Sequence, residues 1–430
     1  MNDLNKLLTR RERLLGPNLP TFYDTPVHLV KGKDVWVWDK EGKKYLDCYN
    51  NVPHVGHCHP KVVEAITKQA STLNTHTRYL HEGILNYVEQ LTNTFDHNLT
   101  TAIMTCTGSE ANDIAIRMAQ TITGSKGIIS TDHTYHGNTA LVSQLSSTNP
   151  AKDHLFKCFK HIPAPDSYRP LGNGNKHDYS EIFALELEKS ILEFQKENIN
   201  FAGLIICPFF ANEGFPKLPK GWLNPVQDIV TKYNGVLIAD EVQPGFGRLG
   251  STMWAHDFIG IEPDIVTIGK PMANGHPVGA VITSNKNMET FRKSYRYFNT
   301  FGGNPVSCAA SLSVLNIIKE ENLMENAQSV GNYAIKGLRD LSKVYEIIGD
   351  VRGEGLFFGV ELVLDRKLKT PARDITNKIV NEMKDEGILL SKLGINYNTL
   401  KIRPPMSFSL KNADYLLEKL DKVLLRNKLK

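Results

Sequence analysis

Short, unbroken apolar runs recur through the middle of the chain, each closed by polar or glycine-rich residues. Ala102-Ile103-Met104, Ile128-Ile129, the AGLIIC run from Ala202 to Cys207, Val236-Leu237-Ile238-Ala239 and Ile265-Val266-Thr267-Ile268 are strand-length and read as buried strands. Between them the apolar residues fall at helical spacing: Ala111, Ile114, Ala115, Met118 and Ala119 after the first run, a helix at about 180 to 196, and VQDIVTKYNG before the fourth run. Strand alternating with helix predicts an α/β fold. Before this core, VHLVKGKDVWVWDKEGKKYLDC reads as two alternating strand-like runs around the turn Asp39-Lys40-Glu41-Gly42. NVPHVGHCHP is a Gly- and Pro-punctuated loop, and PKVVEAITKQAS begins a helix after it. Pro150 through LGNGNKHDYSE is polar and irregular. After the core, VSCAASLSVLNIIKEE, a long helix to about Lys343, VRGEGLFFGVEL, ITNKIVNEMKDEG, LKIRPPMSFS and a terminal amphipathic helix alternate helix and strand.

The strand ends carry the chemistry. Asp240 closes one apolar run, with Gly245, Gly247 and Gly250 breaking the chain after it, and Lys270 follows another. In open α/β sheets ligands bind outside the carboxyl ends of the strands, so acid and amine face one crevice. The plain alternative is a structural salt bridge. Lys270 lies between Gly269 and Pro271 at a strand end, where desolvation would lower its proton affinity and suit it to Schiff-base formation. A carboxylate fixed opposite would keep a ring nitrogen protonated, the Asp and Lys arrangement of pyridoxal phosphate enzymes. Gly108-Ser109 sits where a strand feeds a helix N-terminus, and free backbone N–H groups, the helix dipole and a hydroxyl make that an anion site. Tyr135 and His136, followed by Gly137, stand at a further strand end, where an aromatic face can stack on a ring.

Composition narrows the class. The 430 residues are 41% hydrophobic, ordinary for a globular chain with a sizeable core. Net charge is +4 with no long basic tract, so no nucleic-acid or polybasic membrane partner is expected. No apolar run reaches membrane-spanning length, and MNDLNKLLTRRERLLGPN lacks a signal-peptide core. Arg10, Arg11 and Arg13 suggest a transit peptide, but Asp3 and Glu12 argue against one, and a cytoplasmic protein is expected. Six cysteines without paired spacing fit reduced thiols. His57-Cys58-His59 has no second ligand cluster at zinc-like spacing, so no metal site is expected.

ADEVQPGFGRLG followed by GKPMANGHPVGAV resembles the cofactor signature of class III (ω-type) pyridoxal phosphate aminotransferases, over roughly Tyr23 to Leu425. NVPHVGHCHP, LNTHTRYLH, GKPMANGHPV, FNTFGGNPVSCA and LKIRPP are most similar to the subgroup holding the ethanolamine-phosphate and phosphohydroxylysine phospho-lyases, also named alanine-glyoxylate aminotransferase 2-like. The resemblance implies the fold type I architecture: a large cofactor domain over 61–310, with a mixed, mostly parallel sheet between helices, and a smaller α/β domain from 1–60 together with 311–430. It implies pyridoxal 5'-phosphate as cofactor and a small-molecule amine as substrate. Lys270 would hold the cofactor and act as general base, and Asp240 would hold its ring nitrogen. Gly108 and Ser109 would bind its phosphate, Tyr135 and His136 would lie against its ring, and Val242 and Gln243 would complete the wall. Thr300 would bind the phosphate across the interface of an obligate homodimer, which could assemble further. Arg78 and Tyr79 would bind an anionic substrate group or buttress that interface.

The chain departs from 2-oxoglutarate-using members at two places. Cys207 stands where they carry the glutamate of a glutamate-proline pair, and Lys401 where they carry a carboxylate-binding arginine. Lysine offers a point charge instead of a fork, although Arg403, two residues on along a strand, could face the same side and compensate. Family frequency favours transamination of a small amine through a Lys270 Schiff base, which is the first expectation; the subgroup motifs with Lys401 favour the alternative, a lyase that expels phosphate and releases ammonia. A cofactor-binding but catalytically silent protein is the remote third reading.

Overall fold

The computed structural model describes residues 3–96, 98–146, 156–172 and 179–428. Its centre is a seven-stranded sheet in the order Thr101–Thr105, Gly279–Thr283, Ile265–Ile268, Val236–Asp240, Phe201–Ile206, Gly127–Thr131 and Phe159–Ile162. Gly279–Thr283 runs antiparallel to both neighbours, and every other neighbouring pair is parallel. Both faces are covered, so the strands read as continuous apolar runs, and the period of two appears only in their packing. Ile205, Ile238 and Val281 pack with Ile114, Ala115 and Met118 of the Gly108–Thr123 helix. Leu204, Ile206 and Leu237 face the other way, against Phe183, Leu187 and Val226.

Two smaller sheets flank this core in sequence. Leu29–Lys33, Trp36–Asp39 and Lys44–Asp47 form an antiparallel meander, extended by Ile388–Leu389 from the far end of the chain, parallel to the third strand. Ile348–Glu354, Phe357–Asp365, Thr399–Ile402 and Ser391–Leu393 form an antiparallel sheet, with Thr370–Pro371 paired to its second strand. Among the described residues no helix is long and apolar enough to cross a membrane.

Several elements differ from expectation. The first N-terminal run is two strands, because Asp34 takes a left-handed φ of 57° and reverses the chain inside VHLVKGKDVWVW. Phe159–Ile162 is an edge strand inside a stretch whose polar composition predicted none; residues 150–155 and 173–178 of that stretch lie outside the described residues. Tyr179–Lys196 is the helix expected there. Asn322, at φ 50°, separates the helices Pro305–Glu320 and Leu323–Val344.

Candidate active site

Asp240 ends its strand 5% exposed, and three donors hold it. Nδ1 of His136 lies 2.7 Å from Oδ2, and the side-chain amide of Asn112 donates to the same oxygen at 2.9 Å. The backbone N–H of Val242 donates to Oδ1 at 3.0 Å. Asn112 is itself fixed: its amide also donates to the His136 carbonyl at 2.6 Å, and its oxygen accepts from the Thr267 hydroxyl at 2.6 Å. A buried carboxylate with every donor supplied by packed elements is a preorganised acceptor for a cationic ring N–H.

One strand over, Lys270 opens a short 3-10 turn after Ile265–Ile268. It presents its surface to a cavity of about 350 Å³ whose wall also includes Gly108, Ser109, Tyr135, Gly137, Asp240 and Val242. The side chain is exposed into that cavity, and the protein around the cavity desolvates the amine. That desolvation, with the positive charge of Arg403, pushes its proton affinity below the ordinary lysine value, against a partial offset from Asp240 and Cys207. A lysine so placed is available as a free amine.

At the mouth of the Gly108–Thr123 helix, the Thr107 hydroxyl caps the Glu110 N–H at 3.1 Å, and the Ser109 hydroxyl lies against Asn138, 3.2 Å from its Oδ1 and 3.3 Å from its N–H. Gly137 closes over it at φ 140°, and a Cβ there would lie 2.6 Å from Ser109 Oγ. Only glycine lets the two segments approach, and the approach leaves backbone N–H groups at a helix N-terminus, where an anion is favoured. Carboxylate, amine, aromatic wall and anion cup fit a phosphorylated pyridine aldehyde. The second glycine motif serves this wall indirectly: Asn274, at φ 50°, accepts from the Val55 N–H at 2.9 Å and donates to the Gly56 carbonyl at 2.8 Å, pinning the NVPHVG loop beside it.

A second chamber of about 330 Å³ adjoins the first and shares Tyr135, Asn212, Gln243 and Lys270 with it. Its described wall carries four basic side chains, Lys270, Lys392, Lys401 and Arg403, and no carboxylate. Lys401 and Arg403 are 6% and 3% exposed, and both donate to one neutral atom, Gln243 Oε1, at 3.0 and 2.6 Å. Lys401 is therefore not a solvated strand residue, and Arg403 does share its side. Burial pushes the proton affinity of both down, and each is further lowered or barely offset by its neighbours: Arg403 and Lys270 oppose the charge on Lys401, while Tyr49 and Asp47 only partly relieve Arg403. Among the described residues neither cation has a carboxylate at ion-pairing distance, so the pair can receive an anion.

The structure thus gathers Gly108, Ser109, Tyr135, His136, Asp240, Val242, Gln243, Lys270, Lys401 and Arg403 around two joined chambers. His136 lines the first chamber, buried with Nδ1 toward Asp240, and Tyr135 beside it is half-exposed and offers a face. Arg78, Tyr79 and Thr300 line neither chamber of a single chain. Arg78 stacks on Phe298 at 3.8 Å, Tyr79 on His76 at 5.1 Å, and Thr77 packs against Gly303, so these residues share one surface, with Tyr79, Leu80 and Phe301 strongly exposed. His57 and His59 turn to different carboxylates, Asp47 at 2.8 Å and Glu321 at 3.2 Å. Asn112 was missed, although a polar residue interrupting a helix face of Ala111, Ala115 and Ala119 was a visible signal; Asn212, Thr134 and Glu213 offered none.

The comparisons agree with this geometry. The family model described as aminotransferase class-III matches residues 21–424. The chain is similar to the alanine--glyoxylate aminotransferase 2-like protein of Drosophila melanogaster, at 39% identity over 95% of this chain and 84% of that one. It is also similar to ethanolamine-phosphate phospho-lyase homolog 1 of Caenorhabditis elegans, at 38% over 97% and 93%. Among solved structures, a phospholyase from Arthrobacter in complex with phosphoethanolamine superposes with a TM-score of 0.93 at 39% identity, covering 97% of this chain and 99% of that one. By matched length, motifs and site, the chain belongs to the class III aminotransferase family of pyridoxal phosphate enzymes.

Proposed function

We propose that the protein is a lyase that removes phosphate from a small phosphorylated amine, with ethanolamine phosphate as the model substrate. The observation that carries this is the second chamber, with four basic side chains and no carboxylate on its described wall. A phosphate dianion supplies two charges there, while an amine substrate with an apolar tail would leave Lys401 and Arg403 uncompensated. The phosphoethanolamine complex of the Arthrobacter relative and the name of the nematode relative support the same choice. This reverses the order that family frequency gave.

Pyridoxal phosphate, when bound, supplies an aldehyde for the substrate amine and a ring that withdraws electrons from the adjacent carbon. Asp240 would hold the ring nitrogen cationic, and Gly108 and Ser109 would bind the cofactor phosphate. Lys270 Nζ would take the proton from the carbon bearing the amine, its lowered proton affinity favouring the free-amine form that can do so. Lys401 and Arg403 would hold the substrate phosphate and receive its charge as it leaves the neighbouring carbon. The residues at 61–310 would form the cofactor domain, and 1–60 with 311–430 the smaller one. A homodimer through the surface of Arg78, Tyr79 and Thr300 would bring a second copy's loop to each site.

Transamination is the second reading, favoured by Arg403, whose fork can also take a carboxylate. Incubation with phosphoethanolamine and no keto acid separates the two. Repeated release of phosphate, acetaldehyde and ammonia supports the lyase; a single half-turnover that converts the cofactor to its amino form supports the transaminase.

A further inference from the structure

Where the two chambers join, their walls share two side-chain amides, those of Asn212 and Gln243. Asn212 is half-buried in the loop that follows the Phe201–Ile206 strand, at the sheet edge where Asp240 and Lys270 also emerge. The loop is pinned on both sides of it. The Gly394 N–H donates to the Asn212 carbonyl at 3.1 Å, the Thr131 hydroxyl to Glu213 Oε1 at 2.7 Å, and Nε of the buried Arg352 to the Gly214 carbonyl at 2.9 Å. Nothing in the mechanism above uses the side chain so delivered.

The two cations beyond it decide which end of the Asn212 amide faces a ligand. Lysine and arginine side chains only donate, so the Gln243 atom that meets Lys401 at 3.0 Å and Arg403 at 2.6 Å is its oxygen. The Gln243 nitrogen then points to Asn212 and requires an acceptor, which sets the Asn212 oxygen on that side at 3.2 Å. Turning the Asn212 amide over would put donor against donor. Its Nδ2 is therefore the free end: no described residue accepts from it, and it is not one of the buried side-chain atoms left unpaired. A neutral donor is held at the junction, its orientation dictated by Lys401 and Arg403 through Gln243.

Resting on the lyase reading, we propose that Asn212 is a substrate-binding residue for the elimination: its Nδ2 donates to the ester oxygen that links carbon to phosphorus. A substrate with its amine in the chamber of Asp240 and its phosphate beside Lys401 and Arg403 carries that oxygen across the junction. When Lys270 takes the proton, the carbon–hydrogen pair becomes the new carbon–carbon double bond, the carbon–oxygen pair stays on the ester oxygen, and inorganic phosphate departs. Asn212 moves no proton. Its hydrogen bond strengthens as charge grows on the leaving oxygen, so its effect falls on kcat.

The test uses the full-length holoenzyme with phosphoethanolamine and no keto acid, beside 3-aminopropylphosphonate, in which a methylene replaces the ester oxygen and nothing can be eliminated. Asn212→Ala should lower kcat/KM for phosphate release about ten- to 150-fold, mostly in kcat, the loss of one hydrogen bond to a charged group. The Ki of the phosphonate should move by less than about twofold, because a methylene accepts no hydrogen bond. Asn212→Asp keeps an oxygen for the Gln243 nitrogen but has no donor, and should lose at least as much as Asn212→Ala. The proposal is overturned if Asn212→Ala stays within about twofold of wild type, if the phosphonate Ki rises as far as kcat/KM falls, since the residue would then only shape the chamber, or if Asn212→Asp keeps wild-type turnover. Wild-type enzyme that converts its cofactor in one half-turnover and releases no phosphate removes the lyase reading and this proposal with it; wild-type phosphate release with unimpaired variants removes the role of Asn212 alone.

Discussion

Lys401→Met should make the protein more stable and worse at its reaction. Both cationic nitrogens contact one oxygen, at 3.0 and 2.6 Å, so they lie at most about 5.6 Å apart. At an effective dielectric of about 20, unit charges at that separation repel by roughly 3 kcal/mol. Methionine fills similar volume, and replacing a buried charge by an apolar group commonly stabilises by about 1–4 kcal/mol. The pH dependence follows from the direction of the shift. The folded proton affinity of Lys401 lies well below the ordinary lysine value of 10.5, so the unfolded chain binds that proton more readily. Wild-type stability therefore rises with pH through the window beneath 10.5, and the advantage of the methionine variant should shrink as pH climbs toward 10.5. A substrate phosphate would meanwhile lose one charge-assisted hydrogen bond, about 1.5–3 kcal/mol, or roughly ten- to 150-fold in KM. Thermal melts of the cofactor-free protein across pH, with phosphate-release kinetics on phosphoethanolamine, check both halves. An unchanged KM together with a melting temperature no higher than wild type at neutral pH would refute the reasoning.

Three further outcomes follow from the same geometry. Gly137→Ala places a Cβ 2.6 Å from Ser109 Oγ in a left-handed conformation, and should weaken cofactor binding by about ten- to a hundredfold, read by titration of the apoprotein. Lys270→Ala should retain bound cofactor but lose at least about 100-fold in turnover, whereas Asp240→Ala should lose cofactor affinity and turnover together. The rate at which apoprotein takes up pyridoxal phosphate should rise with pH to a plateau whose midpoint lies below 10.5, because Lys270 loses its proton early; a midpoint at or above 10.5 would contradict the burial argument.

How much of this was legible beforehand depended on how local the cause was. Asp240, Lys270 and Gly108-Ser109 sit where a run of apolar residues stops and a turn begins, and that punctuation is written in neighbouring residues. The Gly279–Thr283 strand was visible only as part of a motif, since its antiparallel place between Thr101–Thr105 and Ile265–Ile268 is set by pairing across long stretches of chain. The contact of His136 Nδ1 with Asp240 was hidden for the same kind of reason, since the two lie over a hundred residues apart. Lys401 could be told from a surface lysine only once Gln243 and Arg403 were packed against it.

The central claim is that Lys270 is the amine that holds the cofactor. Borohydride reduction of the yellow holoenzyme, followed by proteolysis and peptide mapping, tests it most directly. The account predicts a single phosphopyridoxyl label on Lys270; a label on another lysine, or no label, would contradict it.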